Sequence, residues 1–567
     1  VLMKDEITEP RPSRLLKGAA VLALAAILTK LLGTLQKIPL QNIGGDGVFG
    51  IYNTVYPFYM MIITLATSGF PTTISKFIAE RQVLGSEAGK RAVLRMAGLM
   101  MGLLGIAGFS LLYFGAPLLS QAIGSSQLIP ALQNAAPALL FIPFSAVFRG
   151  YFQGLQEMVP TAVSQVTEQT VRVVVMIILL IYWTGLGAAD DVIAGGAFAG
   201  SAAGGAAGLI VMLIFWSRSY KVRERAREQR LDSILTSDES ELTRMPDQIE
   251  SAHLEKGTKL LLSMLAYAIP VCLAALAVPL ISLVDAFTLP RLLQSRGVND
   301  LQAMVEVGIY NRGVPLVQLV TMLASSLSVL FIPALTELRM KGDLEGIRRQ
   351  RATALRWFGL IGLAASVGLA LLAQPINVML YEDALGSTTL AWIAWTAAPG
   401  ALVTVSAALL QGLGHVRAPA LHLLVAAALK TALNALLVPP LGITGAALAG
   451  IAAYGAAAAL NLALLARRTG RARRGARAAL AQLLRPAAAV LAMACAVLLV
   501  RLGAGALPLG GGRMAALAES LLGVGLGAAL FAAVVLRTGL LSAAELSALP
   551  RVSPRLMAAL RRLRLLR

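Results

Sequence analysis

The stretch that decides the fold is GIYNTVYP at residues 50–57, because it returns as GIYNRGVP at residues 308–315. Positions 50 and 308 set an offset of 258 residues, and that offset keeps working downstream. Leu65-Ala66 falls on Leu323-Ala324, Ser68 on Ser326, and Pro117 on Pro375. Gln153-Gly154-Leu155 falls on Gln411-Gly412-Leu413, and Gly187-Ala188-Ala189 on Gly445-Ala446-Ala447. Alanine matches mean little in an alanine-rich chain, but several multi-letter matches at one offset mark a duplication. Internal repeats of this length are typical of transporter folds.

Composition names the solvent. The chain has 567 residues, 57% of them hydrophobic and only 14% charged, with a mean hydropathy of +0.74. An average soluble domain carries about 25% charged residues, so a chain this apolar is built for the bilayer. The net charge of +20 could suggest a nucleic-acid partner, but that requires a basic face on a soluble domain. Here the cations lie between apolar runs, which is the pattern of membrane topology, and no nucleic-acid partner is expected. The two cysteines, Cys272 and Cys495, both fall inside apolar segments and offer neither a disulfide framework nor metal-ligand spacing.

The apolar runs give the fold class, an all-α polytopic membrane protein with about 14 transmembrane helices. The runs are each about 20 residues long, roughly what a helix needs to cross hydrocarbon. They extend from 18–39 and 48–75 to 484–502 and 515–536, with the seventh at 259–286. The first follows Arg11, Arg14 and Lys17 as a signal peptide would. It is too long for a cleaved segment and carries Lys30 and Lys37, so we read it as a retained helix. With the N-terminus in the cytoplasm, most of the 49 Lys and Arg residues lie in the inner connections and terminal segments. The outer connections and helix ends hold Arg291, Arg296, Arg501 and Arg513. This bias predicts both ends inside, as expected for a multi-pass protein of the bacterial cytoplasmic membrane.

Six helices per half is an even number, so the two copies enter the membrane in the same direction as a parallel repeat. The expected organisation is a six-helix lobe over 1–216, a cytoplasmic linker over 217–258, and a second six-helix lobe over 259–466. Two added helices and a basic cytoplasmic tail follow over 467–567.

Three stretches carry a resemblance. They are KGAAVLALAAILTKLLGTLQKIPLQNIGGDGVFGIYNTVYPFYMMIITLATSGFPTTISKFIAE at 17–80, FRGYFQGLQEMVPTAVSQVTEQ at 148–169, and VGIYNRGVPLVQLVTMLASSLSVLFIPALTEL at 307–338. They resemble the stage V sporulation protein B-like polysaccharide transporters of the multidrug/oligosaccharidyl-lipid/polysaccharide (MOP) exporter superfamily, which includes the lipid II flippases. The resemblance covers about residues 15–466. It implies a two-lobed exporter that moves an undecaprenyl-pyrophosphate-linked saccharide from the inner to the outer leaflet by alternating access. A lipid-linked oligosaccharide and membrane lipids are the expected partners, and a monomer the expected state.

An ionisable group inside a spanning helix is costly and so is a functional candidate. Lys30 and Lys37, seven residues apart, project from one face of the first helix, and Lys30 falls near mid-membrane. The resemblance places a cavity-lining basic residue at Lys30, and a second one nearest Gln36. Arg172 and Lys430 are related by the repeat offset. Arg172 has Glu168 one turn earlier, a spacing that permits an ion pair. Lys430 has no acid within a turn in sequence and shares its face with Asn434. Arg312 follows Asn311 where the first copy has Thr54 after Asn53. It resembles the arginine that lines the cavity of the lipid II flippases, and its planar fork suits phosphate oxygens. Asp285 is a candidate proton or sodium site, with pairing to Arg291 as the plainer reading.

The remaining motifs are decoys. Gly45-Asp46-Gly47-Val48-Phe49-Gly50 fits GxGxxG but follows a membrane helix rather than a strand. His253, His415 and His422 lack ligand spacing, and there is no Walker A, HExxH or triad pattern, so neither catalysis, metal nor cofactor is expected. Coupling to membrane potential, H+ or Na+ is left open. The rival readings are a drug/cation antiporter of the same superfamily, which would want acidic residues in its cavity, and a membrane-embedded glycosyltransferase, which would want a large outer loop.

Overall fold

The computed structural model describes residues 11–235, 257–328, 331–470, 476–506 and 512–541, which form helices and short connections only. By its internal contacts the chain divides into two compact units, one of Val1–Pro290 with Asn299–Val305, the other of Arg291–Val298 with Glu306–Arg567. Among the described residues, twelve stretches are long and apolar enough to cross a membrane. The first of these, Ala20–Val83, is 64 residues long and covers two of the expected runs.

The first unit opens with α1 (Arg11–Leu35) and α2 (Lys37–Thr64). A wide π-turn at Leu65–Gly69 then leads into α3 (Phe70–Val83). Helical bonding passes through Gln36, whose N–H reaches the Leu32 carbonyl and whose carbonyl receives the Leu40 N–H. The real break comes at Gly45, with φ 80° and ψ 177°, a backbone state that favours glycine. The GxGxxG decoy is therefore a corner between two membrane helices. Next come α4 (Glu87–Tyr113), α5 (Ala116–Ile123), α6 (Leu128–Ala135), α7 (Ala138–Gly154), α8 (Val159–Gly185) and α9 (Asp190–Leu235). Helix α9 runs well into the stretch expected as a linker; residues 236–256 lie outside the described residues.

Helix α10 (Gly257–Gln294), which the repeat counts as the start of the second lobe, packs within the first unit up to Pro290. Cys272 Sγ lies 3.6 Å from the Leu65 carbonyl oxygen at the π-turn, and Phe287 meets Phe58 edge-on with ring centroids 5.1 Å apart. The second unit takes the part of α11 (Asp300–Asn311) from Glu306 onward, then α12 (Val314–Ser328), α13 (Phe331–Met340), α14 (Leu344–Leu371), α15 (Ala373–Tyr381) and α16 (Ser387–Ala394). It continues with α17 (Ala397–Gly412), α18 (Arg417–Leu441), α19 (Ile443–Thr469), α20 (Ala476–Ala506) and α21 (Arg513–Arg537).

The two copies of the opening motif fold differently for a local reason. In both, the shared asparagine donates to the carbonyl one turn back: Asn53 to Phe49 and Asn311 to Val307, each at 2.8 Å. In the first copy Thr54 Oγ1 also donates to the Gly50 carbonyl at 2.8 Å, and α2 runs on through Pro57. In the second copy the helix stops at Asn311 and restarts at Val314, so Arg312 and Gly313 form a break that turns the arginine aside.

Close packing in the first unit rests on a GxxxGxxxG row on α9. A Cβ at Gly200 would lie 2.7 Å from the Arg172 carbonyl oxygen, and one at Gly204 2.6 Å from that of Glu168. A Cβ at Gly208 would lie 3.0 Å from Glu168 Oε2. Without a strong hydrophobic drive between helices in lipid, such small residues let two backbones approach. Gly204→Val is expected to push α8 and α9 apart and cost about 1–3 kcal/mol, read as a lower melting temperature of the purified protein. Gly98→Ala, which faces open space within α4, should not lower that temperature.

Candidate substrate site

Helix α1 presents its two lysines to different surroundings. Lys30 is exposed, and its ammonium has no hydrogen-bond or ion-pair partner among the described residues. Lys37 is 4% exposed, with Nζ 5.3 Å from the centre of the Tyr56 ring. Beside it Gln36, 2% exposed, accepts through Oε1 from Gln169 Nε2 of α8 at 3.5 Å. One turn before Gln36, the Gly33 position lies in van der Waals contact with Gln169 and Arg172. Arg172 in turn lies near Tyr52, Tyr56 and Tyr59, which stand at i, i+4 and i+7 on α2. Tyr52 is stacked on Phe198 of α9 with centroids 4.3 Å apart. The first unit thus gathers Gln36, Lys37 and Arg172 around an aromatic wall, a feature the tyrosine spacing could have disclosed.

The pair that spacing allows between Glu168 and Arg172 does not form. Glu168 Oε2 is taken by Arg149 of α7, with Nη2 at 2.6 Å. Arg149 also donates to Ser164 Oγ, which donates on to the Gly208 carbonyl at 2.9 Å. Three helices are tied by this knot. In sequence Arg149 reads as a cytoplasmic cation at a helix end, but it is buried and its acid is 19 residues away on another helix.

The second unit repeats the device with other residues. His422 Nδ1 and Asn461 Oδ1 are 2.7 Å apart, and Asn461 Nδ2 donates to Ser406 Oγ at 3.0 Å, joining α17, α18 and α19. His422 stands at the position that the offset matches to Ser164. About two and three turns further along α18, Lys430 and Asn434 are buried on one face. Asp285 is half-buried on α10 of the first unit.

Arg312, 1% exposed, holds a loop. Nη1 meets Asp383 Oδ1 at 2.6 Å and Nη2 meets Oδ2 at 3.0 Å, a two-pronged pair. Nη1 also donates to the Leu385 carbonyl at 3.4 Å, and Tyr381 Oη donates to the Arg312 carbonyl at 3.0 Å. The guanidinium stands 5.4 Å from the Tyr381 ring centre. Burial by itself would raise the Asp383 carboxyl, but hydrogen bonds from Arg312 and the Leu385 N–H, with the arginine charge, hold it below the ordinary value. Arg312 is therefore tied to the connection between α15 and α16, while Asn311 bonds within its own helix.

The comparisons then place the chain. The polysaccharide biosynthesis protein family matches residues 15–339. The chain belongs to this family. An uncharacterized membrane protein, YabM, of Bacillus subtilis strain 168 is 35% identical over 536 residues, 94% of either chain. The lipid II flippase MurJ of the same organism is 27% identical over 481 residues, 81% of this chain and 84% of the relative. A solved structure of a lipid II flippase MurJ in an inward closed conformation superposes with a TM-score of 0.60 at 13% identity, over 90% of this chain and 98% of the other. At that identity the likeness is one of fold. The protein is a multi-pass membrane protein of this family in the bacterial cytoplasmic membrane.

Two measurements probe this geometry. Arg149→Ala and Glu168→Ala should each destabilise the protein by about 3 kcal/mol, since each leaves a buried charge alone. The double variant should lose far less than the sum, as read in a double-mutant cycle of unfolding. Because the folded pKa of Asp383 is lowered, its stabilisation is complete above the ordinary range near about 4 and is lost as pH falls through the folded value. Asp383→Asn should lower the melting temperature at pH 7 and remove the part of the acid sensitivity below about pH 4, read in melting curves across pH.

Proposed function

We propose that this transporter carries a polyprenyl-pyrophosphate-linked saccharide, lipid II or a related envelope precursor, from the inner to the outer leaflet by alternating access. The observation that carries this reading is the sign of the intramembrane charge. Lys30 is exposed, while Lys37, Arg172 and Lys430 add positive potential from within the helices. A pyrophosphate head needs cations that remain available to it. Lys30 supplies one directly, and Lys37 and Arg172 of the same unit add to the positive potential of that unit. The polyprenyl tail stays in lipid while the sugar head crosses. An inside-negative potential favours outward movement of the anionic head by about 2.3 kcal/mol per charge per 100 mV. A carrier for cationic drugs would need the opposite sign of charge. The similarity to a named lipid II flippase supports the same substrate class.

The test is transport of fluorescent lipid II in proteoliposomes, together with rescue of a bacterial strain depleted of its own lipid II flippase. Lys30→Gln should slow flipping at least about tenfold, as expected for the loss of one charge-assisted contact of about 1.4 kcal/mol. Arg312→Gln should slow it by releasing the loop that Asp383 anchors. Full transport by both variants would overturn the reading.

A further inference from the structure

Arg501 and Arg513, which the charge bias assigns to the outer connections, belong to the helix pair beyond the duplication, and both grip one short helix. Arg501 of α20 donates to the Leu371 carbonyl at the end of α14 at 2.9 Å and to Gln374 Oε1 at 3.2 Å. Its ion-pair partner is Glu519 of α21, at 3.3 Å. Arg513, the first residue of α21, donates to the Met379 carbonyl at 2.8 Å and to the Leu380 carbonyl at 3.5 Å, and pairs with Glu382. These carbonyls lie in last helical turns, where the helix itself supplies no donor. Helices α20 and α21 therefore clasp α15 at both of its ends.

The corner that closes α15 is where the two copies part. The repeat offset matches Glu382 to Gly124, the residue that closes α5. Both are left-handed, Glu382 with φ 72° and Gly124 with φ 95°. Both N–H groups donate to matching carbonyls four residues back, Val378 at 3.0 Å and Ser120 at 2.8 Å. Glycine takes this state freely, whereas a residue with a side chain adopts it at a cost. The costly residue has its carboxylate on Arg513, and the next residue, Asp383, holds Arg312 in a two-pronged pair. In the first copy the positions of Asp383 and Arg312 are Ser125 and Thr54. A strained corner thus appears in the copy that has an ion pair to aim, and strain of this kind persists only where its surroundings enforce it.

We propose that Arg513 is a positioning residue for Arg312: it holds Glu382 in the left-handed corner and so presents Asp383 to the guanidinium, which makes the helix pair beyond the duplication part of the Arg312 site. Two contacts of Arg312 depend on where α15 ends, the Asp383 pair and the hydroxyl of Tyr381, which donates to the Arg312 carbonyl at 3.0 Å. Release of the corner withdraws both from the break between α11 and α12. The bearing of this on transport rests on the function proposed above; the coupling between the two arginines does not.

The test is hydrogen exchange of the purified full chain in nanodiscs, read by mass spectrometry over residues 311–314 and 382–387. Arg513→Gln should speed exchange in both segments by about fivefold, the loss of a partly exposed charge-assisted pair. Once Asp383→Asn is present, Arg513→Gln should add little at 311–314, because the two act through one path. Glu382→Gln should behave as Arg513→Gln does and carries the test if that variant fails to fold. Glu382→Gly, which gives the corner the residue of the first copy, should stay protected with or without Arg513. Faster exchange confined to α20, α21 and α15, with 311–314 unchanged, would overturn the proposal and leave Arg513 a docking contact. So would Glu382→Gly exchanging as fast as Glu382→Gln. Transport of fluorescent lipid II is measured alongside, and Arg513→Gln should slow it as Arg312→Gln does. Faster exchange at 311–314 with full transport by both variants would keep the positioning role and remove the function proposed above, so the two readings fail separately.

Discussion

Inside hydrocarbon a polar group has only the protein to bond with, and the arrangement of both units follows from that constraint. Each unit ties three helices together with one buried polar knot. Arg149, Ser164 and Glu168 join α7 and α8 to the Gly208 carbonyl of α9. Ser406, His422 and Asn461 join α17, α18 and α19. The repeat offset puts Ser164 and His422 at equivalent positions, so the duplication preserved the place of the knot while its chemistry changed from an ion pair to neutral hydrogen bonds. The knots anchor α8 and α18, the helices that carry Arg172 and Lys430. These cations stand on fixed supports as a result, and a fixed charge loses less of its potential to reorganisation than a mobile one.

The two halves then diverged in their aromatic and charged residues. Tyr56 and Tyr59 of the first copy correspond to Val314 and Val317 of the second, and Lys37 corresponds to Ser295. Of that aromatic wall and its cations, Tyr52 and Arg172 have counterparts in Tyr310 and Lys430, whereas Tyr56, Tyr59 and Lys37 have none of their kind. The second unit instead spends its arginine at the helix break after Asn311, where Arg312 grips the α15–α16 connection. The parts common to both copies set the frame, and the parts that differ set what each unit can bind or hold.

How much of this could be read from the chain depends on whether the cause is local. Apolar runs, charge bias, the duplication and the corner at Gly45 are properties of contiguous residues, and they appear in the structure in recognisable form. The family likewise followed from contiguous stretches. Pairing was harder. Glu168 was close enough to Arg172 in sequence to suggest a bond, but the helix hands it to Arg149, which a count of cytoplasmic cations had already claimed. His422 was passed over because histidines are searched for by ligand spacing, whereas its partner Asn461 is 39 residues away on the next helix. Arg312 meets its acid 71 residues further along the chain, beyond any local spacing.

That last separation has a consequence for how the protein is made. Arg312 and Asp383 are 71 residues apart, so the helix break bearing the arginine leaves the ribosome well before its acid exists. At about 5–20 residues per second the interval is on the order of ten seconds. Through that time a guanidinium destined for the interior must stay hydrated or be sheltered by the insertion machinery. Completion of α15 and its loop is therefore the event that lets this segment settle in the bilayer, and the order of synthesis is written into the distance between two residues.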